Sequence, residues 1–331
     1  MDNLTHTATG LFLARTGLNR VTPGATAILL LAANAPDLDV VSAAGGWVNY
    51  LHYHRHLTHS LIAMPLMAII PVLIVRAFGQ KVRWLPAFII SLVTVASHLL
   101  LDWTNVYGIR PLLPFSGEWF RLDTTSVVDL WIWAAFIVAL AAPALGRLVG
   151  SEIKSRDERS RSYGRGWAIA ALSFLLFYGA GRAALHSRAV GMLDSRVYRG
   201  SDPVRSAAFP DPANPLRWRG LVETREAYAL LGLNVTAEVQ PDDAEFLRKP
   251  SMVSAIAAVR SSPTFQEYIR FSQFPLWRVR PSAQVEGEEV VQLLDLRFGT
   301  PQEPGFAATA WVDAQERVRR TSFEFGRIRP R

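Results

Sequence analysis

The 331-residue chain contains no cysteine, which rules out disulfides and thiolate ligands and leaves its redox compartment open. Its first residues lack the basic n-region and small-residue cleavage site of a secretory signal peptide. No Gly-x-Ser-x-Gly elbow, P-loop or dinucleotide fingerprint occurs, so serine-hydrolase, kinase and dehydrogenase chemistries have no support. Internal repeats and low-complexity tracts are absent too. Acidic residues are scarce in the first 190 positions, where nearly all of the basic excess lies, while the remainder is nearly balanced. A basic excess confined to the apolar half suits loops on anionic lipid. It speaks against a nucleic-acid partner, which would show a basic stripe on a soluble fold.

Half of the residues are hydrophobic (50%), mean hydropathy is +0.16, and there are ten Trp. Long apolar runs occupy residues 1–190, and 191–331 read as an ordinary soluble domain. Three stretches are long enough to cross a bilayer at about 20 residues each: 57–78, 84–101 and 127–149. A fourth, 167–185, is interrupted by Arg182. Trp84, Trp103, Trp131, Trp133 and Trp167 sit near their ends, as interfacial aromatics do. Residues 4–18 suggest an amphipathic helix and 24–35 a short apolar one ended by Pro36, together a partly inserted hairpin.

Arg15 and Arg20, then Arg76, Lys81 and Arg83, then Arg147, Lys154, Arg156, Arg159, Arg161 and Arg165 fall on one side of this arrangement, which the positive-inside rule makes cytoplasmic. The expectation is an integral, multi-pass inner-membrane protein with its C-terminal domain outside the cytoplasm. In that domain, 200–217 reads as a linker or an extended entry strand. Strands are expected at 217–224, 227–235, 276–283, 290–298, 308–313 and 318–325, and helices at 251–261 and 263–274. The predicted fold class is an α-helical polytopic membrane domain (1–190) followed by a small α+β soluble domain (191–331) with a mainly antiparallel sheet.

Six of the seven histidines lie in the first 98 residues, and they come with acids. His6 opens the chain; Asp37 and Asp39 follow Pro36; His52, His54, His56 and His59 crowd one short stretch; His98 precedes Asp102 by four. Imidazole with carboxylate is the ligand set that zinc and similar ions prefer. Ionisable groups at membrane depth are functional suspects. His98 and Asp102 share a helix face, with Asn105 one turn further as an outer partner. A histidine bonded to a carboxylate merely for packing is equally compatible with that pair alone. The His54–His59 cluster has a blander reading as a loop touching lipid head groups, and Asp37-Leu-Asp39 as a solvated turn. All of these groups converge on the side opposite the basic loops, although the topology argument did not use them. The metal ligands expected are His6, Asp37, His54, His59, His98 and Asp102, holding zinc, with manganese the alternative. Asp39 is the candidate general base, and Arg55 the group that holds an anionic substrate. His186, beside Arg182 and Arg188, is read as interfacial and not part of the site.

Met1-Asp2-Asn3-Leu4-Thr5-His6 with Gly10, Ala35-Pro36-Asp37-Leu38-Asp39, His54-Arg55-x-x-Thr58-His59-Ser60, and His98-Leu-Leu-Leu-Asp102 with Asn105 and Gly108 keep an order and spacing. In these, residues 1–150 resemble the bacterial family of membrane-bound metal-dependent hydrolases, the LexA-regulated, inner-membrane YdjM-like family of unknown-function domains. His52 and His56 fall outside that pattern. The His98/Asp102 pair is more distantly similar to the zinc-dependent phospholipase C and single-strand nuclease superfamily. That likeness implies phosphoester hydrolysis through a metal-activated water, with a phospholipid or other phosphoester as substrate. A non-catalytic membrane protein with a structural or sensory metal is the rival, and a function housed in the soluble domain the third reading.

Overall fold

The computed structural model describes residues 1–152 and 163–326. Lys154, Arg156, Arg159 and Arg161 of the expected basic loop lie outside the described residues. Helix α1 (Asn3–Arg15) begins where Asp2 caps it by accepting from the backbone N–H groups of Leu4 and Thr5. It is not the amphipathic helix expected. Its buried face carries Thr5, His6 and Thr9 beside Phe12, and Leu4 is exposed. The polar face turns inward because the partner there is a cluster of charged groups rather than water.

Helix α2 (Ala25–Ala32) stops before Pro36, and a 3-10 segment, Pro36–Gly45, continues at an angle of 51°. Helix α3 (Trp47–Tyr53) and a 3-10 turn at Leu57–His59 precede α4 (Met64–Ala77). The span expected at 57–78 is therefore broken, with an 89° bend. The break is satisfied locally and tertiarily: Ser60 caps the turn through Leu57, and the Leu61 N–H donates to Pro111 carbonyl at 2.9 Å. Helix α5 (Trp84–Thr104) matches its expectation and carries both His98 and Asp102. Among the described residues, two helices, α5 and Gly164–Asp194, are long and apolar enough to cross a membrane, or up to four segments if each bent pair is one span.

Glycine 10 lets α1 approach α2 closely. A Cβ there would meet the Leu29 carbonyl oxygen at 2.7 Å and the Ala33 Cβ at 2.9 Å. Gly10→Ala is expected to destabilise the protein by about 1–3 kcal/mol through overpacking, read as a lower thermal midpoint in detergent. An unchanged midpoint would mean that the helices can part freely.

Helix α6 (Leu130–Glu152) is capped by Asp129, which accepts from the N–H groups of Trp131 and Ile132 and from the Tyr178 hydroxyl. Helix α7 (Tyr163–Asp194) runs beyond the expected fourth span into the soluble domain, where Ala189 and Leu193 join its core. Arg182, the charge that interrupted this stretch, is buried. It donates to the carbonyls of Thr124 and Pro215 and lies 4.1 Å from the Trp218 ring centre.

The soluble domain holds two four-stranded antiparallel sheets instead of one. The first runs β1 (Arg205–Pro210), β2 (Arg217–Glu223), β3 (Ala227–Asn234), β4 (Glu245–Arg248). The second runs β5 (Pro275–Pro281), β6 (Glu289–Asp295), β7 (Phe306–Val312), β8 (Val318–Phe325). Of the two readings of 200–217, the extended entry strand is the one realised: it contains β1, an edge strand registered Ala207 on Leu221. Pro210 can end such an edge because it has no ladder hydrogen bond to donate. The sheets pack through Phe209, Leu221 and Leu230 against Phe274, Leu276 and Leu294. Helices α8 (Ser254–Arg260) and α9 (Pro263–Phe271) cover the second sheet, and Leu51 and Tyr107 from the first half of the chain enter that core.

Candidate metal centre

Helix α5 brings His98 and Asp102 to one face, as their spacing of four requires. His98 Nδ1 lies 2.7 Å from the Ala33 carbonyl at the end of α2. A carbonyl only accepts, so Nδ1 carries the proton and Nε2 presents its lone pair. His59, at the end of its 3-10 turn, has Nδ1 3.0 Å from Thr58 Oγ1. That hydroxyl already donates to Asp39 Oδ2 at 2.8 Å, so it accepts from His59 Nδ1–H. His59 Nε2 therefore also presents a lone pair.

The two Nε2 atoms face each other at 3.2 Å. Asp37 Oδ1 lies 3.5 Å from His59 Nε2 and 3.6 Å from His98 Nε2. Asp102 Oδ2 lies 3.2 Å and 3.4 Å from the same atoms, and no hydrogen bond reaches it. Four acceptors thus converge in a buried place with no donor among them, an arrangement that is repulsive without a cation at its centre. Ligand atoms about 2.0–2.1 Å from a tetrahedral ion stand about 3.3–3.4 Å apart, so the spacing fits a small divalent metal. The residues present fit the group.

Around this quartet stands a supporting ring. The other oxygen of Asp102, Oδ1, takes an ion pair from the Met1 amino group and one from Arg55 Nη2 at 2.9 Å. Arg55 Nη1 donates to Asn105 Oδ1 and to the Gly108 carbonyl, each at 3.1 Å, and the guanidinium lies 4.7 Å from the Tyr107 ring centre. Arg55 adopts φ +54°, which turns both its N–H and its side chain inward, the N–H donating to Asp39 Oδ2 at 2.9 Å. Asn3 Nδ2 donates to Asp37 Oδ2 at 3.2 Å.

Four of the six expected ligands, Asp37, His59, His98 and Asp102, meet at one point. His6 lies beside them, stacked on His98 with ring centres 3.7 Å apart and Nε2 3.3 Å from Asp102 Oδ1. His54 instead donates Nδ1–H to Asp39 Oδ1 at 2.9 Å, and its ring stacks on Tyr50. Asp37, Asp39 and His54 form a second close group that shares Asp37 with the first. Arg55 does not face an open position: three of its bonds go to protein groups inside. His52 and His56 stand apart, His52 pairing with Glu267 of α9 at 2.8 Å. His186 lies against Trp218 in the soluble domain.

Sequence reasoning missed the Met1 amino group, the Ala33 carbonyl and the orienting role of Thr58. Only the last carried a sequence signal, its place directly before His59. Arg55→Ala is expected to weaken metal binding about 10–100-fold, as loss of an outer partner of a ligand does. A chelator competition assay reads it, and unchanged affinity would separate Arg55 from the centre.

A family model described as the YdjM inner membrane protein matches residues 1–189. The uncharacterized protein YfhP of Bacillus subtilis (strain 168) is 24% identical over 306 residues, covering 88% of this chain and 86% of that protein. No solved structure matches the chain. The motifs that meet at the buried Asp/His cluster all fall within the matched region, and the chain belongs to the YdjM inner membrane protein family.

Proposed function

We propose that this protein is a multi-pass, membrane-bound, metal-dependent hydrolase acting on phosphoesters, with Asp37, His59, His98 and Asp102 holding a zinc or manganese ion. The observation that carries the reading is the convergence of four buried acceptors, two of them imidazole nitrogens whose other nitrogen is already committed. A divalent ion held there supplies Lewis-acid polarisation of a phosphoryl oxygen and activation of water. The chain's own residues do the rest. The Ala33 carbonyl and Thr58 orient the two ligand imidazoles, and Arg55, Asn105 and Asn3 hold the ligand carboxylates. Asp39 fixes His54 with its proton on Nδ1, so that Nε2 is the atom able to take up or return a proton.

Asp37, Asp39 and His54 are the least sealed members, at 8–9% exposure, and mark the open side. Leu4, Leu38 and Val41, close in sequence to Asn3, Asp37 and Asp39, are strongly exposed apolar residues. Exposed apolar residues in the same segments as the buried acids suit a phospholipid or other lipid-like phosphoester reaching the site from the bilayer. Sidedness follows the basic loops and puts the centre outside the cytoplasm.

A second reading has one specific support. Four protein ligands at tetrahedral spacing are the pattern of a closed structural site, whereas catalytic sites keep a position open. Turnover of bis(p-nitrophenyl) phosphate and p-nitrophenylphosphocholine by zinc- and manganese-loaded protein separates the two. Hydrolysis in the wild type that falls at least about 100-fold in His54→Gln with metal retained supports the hydrolase, since a positioned acid–base group contributes that much. A stoichiometric ion without any turnover leaves the structural or sensory role.

A further inference from the structure

Between the two sheets and the loop leading into α6 lies a cavity of about 400 Å³, walled by Phe209, Phe298, Phe306, Phe325 and Val127. Arg219 of β2 and Arg297 line it, and among the described residues no acidic residue does. The Arg219 guanidinium donates to three carbonyls, those of Leu296 (2.8 Å), Gly299 (3.2 Å) and Arg297 (2.6 Å), and lies 4.9 Å from the Phe209 ring centre. Among the described residues no carboxylate lies within 4.0 Å of it, and the side chain is half-buried. The acid that attracts it, Asp295, is already bonded by Arg297 at 2.7 Å. Partial burial pulls the Arg219 pKa down to about 10. Carbonyl dipoles orient such a cation, but no carboxylate neutralises it, which carries a cost where the guanidinium is half-buried.

An anion in the cavity removes that cost, and the walls state what else it must carry. Phenylalanine and valine offer nothing to a small hydrated anion and much to hydrocarbon. Val127 leads directly into Val128, Leu130 and Trp131, all exposed at the foot of apolar helix α6. The cavity therefore adjoins the level at which the apolar helices begin. We propose that it binds an anionic single-chain amphiphile drawn from the surrounding bilayer, its head group on Arg219 and its acyl chain along the phenylalanines. A guanidinium pairs with a carboxylate or phosphate head group through two parallel N–H donors. This site is separate from the metal centre and does not depend on what that centre does.

The test uses the full chain in phosphatidylcholine nanodiscs, titrated with 11-dansylamino-undecanoate and competed with oleate, oleyl alcohol and inorganic phosphate. Saturable binding of one probe per chain is expected, with oleate at least about tenfold stronger than either other competitor, the share a charged hydrogen bond supplies. Arg219→Gln should lose about tenfold in probe affinity and Arg219→Lys less. Phe325→Ala, at a partly exposed wall position, should weaken the probe without disturbing folding, and serves if Arg219→Gln fails to fold. Equal competition by oleyl alcohol, equal competition by inorganic phosphate, probe uptake that never saturates, or unchanged affinity in Phe325→Ala would each overturn the proposal.

Discussion

Detergent-purified protein is expected to carry one divalent ion per chain, and His59→Ala and Asp102→Ala are each expected to lose it. The expectation rests on proton bookkeeping at two rings. The Ala33 carbonyl and the Thr58 hydroxyl each claim the Nδ1–H of one imidazole, so both Nε2 atoms arrive without a proton at 3.2 Å from each other. Each variant removes one of four ligands, so affinity should fall by more than the roughly 10–100-fold that outer partners control. Binding requires neutral imidazoles and ionised carboxylates. Affinity should therefore decline as pH is lowered from the alkaline into the acidic range, because protons compete for the same lone pairs. Metal analysis by mass spectrometry across that range checks both claims. Folded wild type without metal, even after incubation with zinc or manganese, would mean that His59 is held as an imidazolium between Asp37 and Asp102. The cluster would then be an ion-paired packing device.

Arg297→Ala is expected to be the most damaging substitution in the soluble domain, at about 3–5 kcal/mol, because it strands a buried charge. The Arg297 and Asp295 side chains are completely buried and joined through Arg297 Nε and Nη2, at 2.9 and 2.7 Å. Arg297 also donates to the carbonyls of Val106 and Tyr107 at 3.3 Å and of Phe271 at 2.9 Å, between the rings of Phe271 and Phe298. Those first two carbonyls immediately follow Asn105, which braces Arg55 and through it Asp102. Loss of the pair should lower the thermal midpoint and also weaken metal binding from a distance. Replacing both partners, as Arg297→Met with Asp295→Leu, should restore most of the stability, since no charge is then left unpaired. If the single variant melts like wild type, the soluble domain is not fastened to the metal centre in this way.

Much of the centre was legible because its signals are local. His98 and Asp102 announce themselves by helical spacing, and Asp37 by its place after Pro36 at the end of an apolar stretch. What each residue does was not legible. His6 and His54 have the chemistry of ligands, yet His6 stacks on His98 and His54 bonds Asp39. Arg55 has the fork that grips substrate anions, and it spends that fork on Asp102 and its neighbours. Spacing gives the face a side chain occupies, but a hydrogen-bond partner from another helix decides which atom stays free.

The soluble domain divides the same way. Alternation and turn residues placed most of its strands and left β1 open between linker and strand, while the four-residue β4 went unseen because a short edge strand needs only a neighbour to pair with. Hydropathy joined residues 57–78 into one span, since it counts apolar side chains and does not see the bond from Leu61 N–H to Pro111 that stabilises the bend. By itself, then, the sequence determined a helical membrane region ahead of a β-rich domain, and which ionisable residues cluster in it, because burial periodicity and ligand chemistry are properties of short segments. Only the tertiary structure decided which four atoms face one another, which histidines support them, and how Arg297 ties the second half to the first. Those are contacts between residues far apart in the chain, and their geometry exists only once the helices have packed.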